Sequence, residues 1–239
     1  MDKTLFCLVV FLEDGLMINI LYEDNHLLVV EKPVNIPVQA DQSKDKDLLS
    51  LLKQDLKVRY NKPGDVYLGL VQRLDRPVGG VLVFAKTSKA ASRLSQQIAN
   101  RQITKQYQAI VCGIAQSQNM LEDWLIKDRK TNTVTVTSRS NRNGKHARLC
   151  YQCLNVFNNL SHILIQLETG RSHQIRVQLA SRDLPLWGDQ RYNPHAKAGQ
   201  QIALWSISLT LFHPITQEKM TFTSTPPFQY PWNSIKEDI

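Results

Sequence analysis

The sequence predicts an α+β fold, a mixed and mostly antiparallel sheet flanked by a few helices. Three observations lead there. Segments with strand-like alternation or short apolar runs outnumber those with helical periodicity. Most neighbouring strands are separated by short polar turns, so they join as hairpins rather than through crossover helices. The composition shows no break, repeat or low-complexity linker, which places one domain over residues 17–232. Residues 1–16 read as a dispensable extension or a start-codon artefact, because Met17 opens a natural beginning, and residues 233–239 as a short tail.

"INILYEDNHLLVVEKP" reads as two strands around the polar turn Glu23 to His26, stopped at Lys32-Pro33. "DKDLLSLLKQDLKVRY" is helical, with Leu48, Leu51, Leu52 and Leu56 on one side, and "NKPGD" breaks it. "GGVLVFAKT" is a buried strand. Ser88 is expected to cap the helix "SKAASRLSQQIANRQI" that follows. "TKQYQAIVCG" is a strand ended by Gly113, and "DWLIKDRKTNTVTVTSRS" an extended basic hairpin. "ARLCYQCLNVFNNLSHILIQLETG" forms a hairpin about Asn158-Asn159. "RSHQIRVQLASRD" is a helix with Ser172 as its expected cap. The last hairpin, "QIALWSISLTLFHPITQEKMTFTSTPP", turns at Pro214.

The chain is 42% hydrophobic and 21% charged over 239 residues, with a net charge of +8. Such an excess of positive charge favours an anionic partner such as RNA, DNA or a membrane surface. Four scattered cysteines imply no disulfide framework and fit a reducing cytoplasm. Cys150 and Cys153 form a C-x-x-C with His146 ahead of it, but no fourth ligand stands at zinc-knuckle spacing, so no metal is expected. The longest apolar run, "FCLVVFL", is far short of the roughly 18 residues needed to span a bilayer.

The nucleotide-loop, dinucleotide, zinc-protease and serine-hydrolase motifs are all missing, so the chemistry is expected to need no cofactor. Three local clusters remain. In "QRLDRPVGG", Asp75 lies between Arg73 and Arg76; an extended segment puts Arg73 and Asp75 on one side, and a guanidinium there favours the ionised carboxylate. A surface ion pair in a turn satisfies the same spacing. In "LETGRSHQIRVQLAS", His173 and Arg176 share a helical face with Arg171 just ahead, which makes either an anion site or a solvated basic helix end. In "TKQYQAI", Lys105 and Tyr107 alternate onto one side of a strand, where the ring serves base stacking or core packing.

Taken together and in order, these segments resemble the RluA-type family of RNA pseudouridine synthases. The resemblance covers nearly the whole chain after residue 17. "QRLDRPVGGVLVFAKTSKAA" is similar to the family's H-R-L-D-x-x-[TS]-S-G segment, "ITKQYQAIVCG" to its K-x-Y segment and "LETGRSHQIRVQLAS" to its R-T-H-Q-I-R segment. "LWGDQRY" is similar to its G-D-x-x-Y, and "LTLFHPITQEKMTFTSTPP" to its closing hairpin. Gln72 stands where the family has His, Val78-Gly79 where it has Thr-Ser or Val-Ser, and Ser172 where it has Thr. The resemblance implies a pseudouridine-synthase-like catalytic domain that isomerises uridine in ribosomal or transfer RNA without a cofactor. It implies Asp75 as the essential carboxylate, Arg176 as its ion-pair partner and Tyr107 stacking on the flipped uracil. Arg73, Arg76, Lys105, Arg171, His173 and Gln174 would contact RNA, with the basic stretch Arg129 to Arg148 gripping its backbone. No further RNA-binding module is expected ahead of the catalytic part, so target choice is expected to lie within it. A cytoplasmic monomer is expected. The alternative is an inactive RNA-binding or ribosome-assembly protein on the same scaffold, motivated by Gln72 and Gly79.

Overall fold

The computed structural model describes residues 8–11 and 17–235. In chain order the elements are β1 (Leu8–Phe11), β2 (Met17–Glu23), β3 (Leu27–Lys32), α1 (Leu48–Arg59), β4 (Gly69–Leu70), β5 (Gly79–Ala85), α2 (Ser88–Ala99), β6 (Thr104–Cys112), β7 (Gln118–Asp128), β8 (Thr133–Thr137), β9 (Lys145–Phe157), β10 (Leu160–Leu167), α3 (Gln174–Ala180), β11 (Leu204–Phe212) and β12 (Lys219–Thr223). Strands and hairpins follow the sequence reading closely, and the fold is α+β as expected.

The chain forms two compact units. The first takes residues up to Ile103 and adds Ser206–Ser224; the second takes Thr104–Trp205 and the residues from Thr225. In the first, the strands run β1-β2-β3-β5-β11, with β4 also on β5 and β12 on β11. The pairs β1–β2, β2–β3, β3–β5 and β11–β12 are antiparallel. The run Gly79 to Ala85 is buried at every position. Val81, Val83 and Ala85 meet Leu94 of α2 and, from the distant closing hairpin, Leu209 and Phe222. The reading of residues 1–16 as an extension falls partly outside the described residues, but Leu8–Phe11 adds an edge strand to Met17–Ile20.

The second unit is an antiparallel meander ordered β6-β10-β9-β7-β8. Asn158 and Asn159 both take positive φ, 48° and 58°, the two-residue turn whose twist matches its strands. In β10, His162 is buried, and its Nε2 has no hydrogen-bond partner among the described residues. Burial pushes its pKa down to about 4 from the ordinary 6.5. Between those values the unfolded chain binds the extra proton, so stability falls as pH is lowered from 6.5 towards 4. We expect His162→Phe to flatten this acid dependence, worth up to about 3 kcal/mol, in urea midpoints measured across that range.

Two helix starts differ from expectation. The cap of α2 is Thr87, whose hydroxyl accepts the N–H of Ala90, so Ser88 is already the first helical residue. Helix α3 begins at Gln174, not at Ser172. His173 occupies its cap position in the left-handed region, φ 50°, and offers no side-chain cap bond. No helix among the described residues is long and apolar enough to cross a membrane.

Candidate active site

The residues singled out in sequence fall in both units: Arg73, Asp75 and Arg76 in the first, the others in the second. Asp75 sits in the connection from β4 to β5. Its flanking residues Leu74 and Val78 are buried, and the Val78 N–H donates to the Asp75 carbonyl at 3.0 Å, closing a tight turn. Gly80 then enters β5 with φ +108°, and a Cβ there would lie 2.7 Å from Ser206 N and collide with that residue's carbonyl. Only glycine lets the Asp75 turn lead into the strand this close to a neighbouring backbone.

The turn is held from beneath by a residue the sequence reading treated as a strand terminator. Lys32 is fully buried, and its ammonium donates to the carbonyls of Pro33 at 2.8 Å, Arg76 at 3.0 Å and Val78 at 2.9 Å. All three N–H donors are thereby used, two of them on the turn that carries Asp75. Burial pushes Lys32 down to about 7 from 10.5; the charge of Asp75 works against that fall and that of Arg76 adds to it. The available signal was position: "LLVVEK" is apolar on both faces of β3, so its last residue enters the core.

The contact that the extended spacing suggested between Arg73 and Asp75 does not form among the described residues. Arg73 is exposed and makes no hydrogen bond or ion pair among the described residues. Arg76 turns the other way, to the carboxylate of Asp45 and the carbonyl of Asn35. The reason is geometric: residues 76–77 form the turn itself, so the extended alternation that would align the side chains ends there.

In the second unit, β6 presents Tyr107 opposite Ile165 and Lys105 opposite Leu167. Tyr107 is 7% exposed. Lys105 is partly buried, its ammonium makes no hydrogen bond or ion pair among the described residues, and burial lowers its pKa. A Cβ on Gly170 would stand 3.5 Å from Lys105 Nζ, an ordinary van der Waals contact. Arg171 is exposed and anchored by one bond, Nε to the His146 carbonyl at 2.8 Å.

His173 and Gln174 are buried rather than displayed. The His173 ring pairs through Nδ1 with the Tyr192 hydroxyl at 2.8 Å. Gln174 accepts from Thr169 Oγ1 at 2.8 Å and Arg171 N at 3.0 Å, and donates to the Arg148 carbonyl at 3.1 Å. It staples the segment after β10 to β9, a structural task that its place in a basic motif concealed. Arg176 is buried beside Asp189, in an ion pair at 2.8 Å. The basic stretch is mostly exposed: Arg129, Lys130, Arg139, Arg142 and Lys145 face solvent. Arg139 lies over the Trp124 ring, 5.5 Å from its centroid. His146 pairs with Glu122 and Cys150 Sγ faces the Gln166 carbonyl, so each has a partner other than a metal.

A family model described as RNA pseudouridylate synthase matches residues 26–181, which include Asp75, Tyr107 and Arg176. The ribosomal large subunit pseudouridine synthase D of Pasteurella multocida is 33% identical, over 92% of this chain and 71% of the relative. The dual-specificity RNA pseudouridine synthase RluA of Haemophilus influenzae is 32% identical, over 88% and 94% respectively. The fold matches that of human RNA pseudouridylate synthase domain containing 4, with a TM-score of 0.73 at 23% identity over 87% of this chain and 88% of that one. With the ordered motifs, the fold and these matches in agreement, the chain belongs to the RluA-type family of RNA pseudouridine synthases and is an isomerase of uridine in RNA.

Proposed function

We propose that the chain isomerises uridine in ribosomal large-subunit RNA, with Asp75 as the essential carboxylate. The observation that carries the site assignment is the seat of Asp75, a tight turn clamped by the buried Lys32 ammonium within the matched segment. The reaction breaks the bond from uracil N1 to C1′ and forms one from C5 to C1′; C5 loses a proton and N1 gains one. No redox partner or energy source enters this balance, which agrees with a chain expected to need no cofactor. Asp75 acts ionised, whether it attacks sugar or base or removes a sugar proton.

In this reading Arg176 is the counter-charge of that carboxylate, and Tyr107 receives the uracil once the nucleotide has left its stack. Arg73 is unengaged and suited to a phosphate or to the space left by the flipped base. Lys105 and Arg171 hold backbone, joined by the exposed cations between Arg129 and Lys145. Arg76, His173 and Gln174 have internal partners and support the site from within. The protein works as a cytoplasmic monomer. A second class of RNA target is favoured by the near-complete coverage of the dual-specificity relative.

Lys105→Ala and Arg171→Ala are each expected to weaken RNA binding several-fold and to reduce the salt slope of log K by about 0.7–0.9, measured by filter retention over a salt series. The test of the function is pseudouridine mapping of total RNA from cells with and without the gene. A uridine that loses its modification, and regains it with the wild-type gene but not with Asp75→Asn, establishes activity and target together. Unchanged maps combined with tight RNA binding by the purified protein would favour the inactive RNA-binding alternative.

A further inference from the structure

The meander of the second unit ends on β8, so the basic hairpin β7–β8 forms its outer margin. The base of this hairpin is packed. Leu125 and Val134 are buried with Val177 of α3, and the Val134 N–H donates to the Tyr192 hydroxyl at 2.8 Å. Towards the tip the burial stops: residues 128–132 are all exposed. The side chains of Arg129 and Lys130 make no hydrogen bond or ion pair among the described residues. The carboxylate at the tip, Asp128, is used within the turn, accepting the Lys130 N–H at 2.8 Å and the Thr131 hydroxyl at 2.9 Å. These bonds close the turn on itself and attach it to nothing else.

The attachment comes from 60 positions away, where Arg191 Nη1 donates to the Thr131 carbonyl at 3.0 Å. Among the described residues this is the only hydrogen bond from residues 129–132 to anything outside their own hairpin. Lys127 Nζ approaches Ser172 Oγ at 3.4 Å, but on β7, before the turn. The root of Arg191 is itself fixed, since its backbone N–H donates at 3.0 Å to Asp189, which is 1% exposed. Arg191 and Tyr192 thus hold one hairpin at two heights, the tip and the base. A two-stranded ribbon with no buried face is marginal by itself. Its two free cations would otherwise have to be ordered at the moment they meet phosphate, which weakens binding. A planar guanidinium gives the carbonyl a directional bond and keeps its charge at every working pH. Arg191 fills an open position of the G-D-x-x-Y pattern, so the motif itself does not require this tie.

We propose that Arg191 is a positioning residue for RNA binding. By holding the Thr131 carbonyl it fixes the turn on which Arg129 and Lys130 meet phosphates of the substrate. The proposal rests on the reading of the exposed cations between Arg129 and Lys145 as a grip on RNA backbone.

The test uses total RNA from cells lacking the gene, labelled with tritium at uracil C5, because that hydrogen is lost when C5 is joined to C1′. Retention on filters over a salt series, single-turnover tritium release and melting temperature are measured. The variants are Arg191→Met, which keeps the stem and loses the donors, Arg191→Lys, the pair Arg129→Ala with Lys130→Ala, and the triple variant. The tip pair is expected to lower the salt slope of log K by about 1.4–1.8. Arg191→Met is expected to weaken RNA binding about 3- to 10-fold, the scale of one hydrogen bond. The half-saturating enzyme concentration should rise equally, with the rate at saturation within two-fold and the melting temperature within about 2 °C. In the background of the tip pair the same change is expected to add less than two-fold. Arg191→Lys, whose ammonium can reach the same carbonyl, should recover most of the affinity. Unchanged affinity in Arg191→Met would overturn the proposal. So would an equal loss with and without the tip cations, the mark of an independent phosphate contact. A lower melting temperature with a slower rate at saturation would make Arg191 merely structural and overturn it as well. Unchanged affinity in the tip pair would remove the grip on which the proposal rests, and the proposal with it. The filter arms decide all this whether or not tritium is released; absence of release by the wild type counts against the function reading alone.

Discussion

Asp75→Asn is expected to lower pseudouridine formation by at least about 10⁴-fold, the scale reached when one member of a catalytic set is removed. RNA affinity should stay within about three-fold. The substitution is nearly isosteric, and the bonds that build the turn run through backbone: Val78 N to the Asp75 carbonyl, and Lys32 to the carbonyls of Arg76 and Val78. None of these needs the carboxylate. The variant should therefore fold, hold RNA and fail only in the chemistry. Tritium release from C5-labelled RNA, with retention on filters as the binding control, reads both quantities. Turnover surviving in this variant would exclude every route in which the carboxylate attacks or removes a proton.

Lys32→Met should produce the second largest loss. Methionine fills the space of the stem but donates nothing, so the carbonyls of Pro33, Arg76 and Val78 lose their buried partner. Each stranded acceptor costs about 1–3 kcal/mol unless water reaches it, and the turn will relax to find water. We expect a loss of about 2–4 kcal/mol in urea unfolding and about a 100-fold fall in single-turnover rate, since a shift near 1 Å in a reacting group has that effect. The pH dependence adds a signature. The folded chain releases the Lys32 proton near pH 7 and the unfolded chain near 10.5. Between them the unfolded state binds more protons, so this group makes stability rise with pH over that window. The variant should lack that rise.

The fold was legible because hairpins announce themselves locally. Asn158-Asn159 is a turn that needs two positive φ angles, and the strands on both sides carry their alternation in plain view. The Asp75 segment was legible for a related reason, since glycine before a wholly apolar strand marks a constrained entry. What escaped notice depends on partners far along the chain. Lys32 reaches residues 44 and 46 positions away, and a lysine after "LLVVE" reads as the polar end of a strand. The fork of Arg176 and Asp189 spans 13 positions and passes through a turn with no periodicity to align them. His173 was assigned to a helical face, yet its backbone is left-handed, a state that propensity assigns to few residues other than glycine and asparagine. Arg73 and Arg76 do not pair with Asp75: Arg76 lies inside the Asp75–Val78 turn and reaches Asn35 and Asp45 instead.

The split of the first unit along the sequence has a consequence for how the protein is made. Val81, Val83 and Ala85 are finished early in synthesis, but Leu209 and Phe222, which cover them, belong to the Ser206–Ser224 segment and emerge only after the whole of Thr104–Trp205. At about 5–20 residues per second, the nascent sheet waits several seconds with its apolar face open. During that interval it is a substrate for chaperones and for its own neighbours on a polysome. A ribosome that stalls before the closing hairpin releases a chain whose second unit has most of its parts and whose first unit has none of its lid. Quality control of this enzyme is thus set by its closing segment, far along the sequence from Asp75.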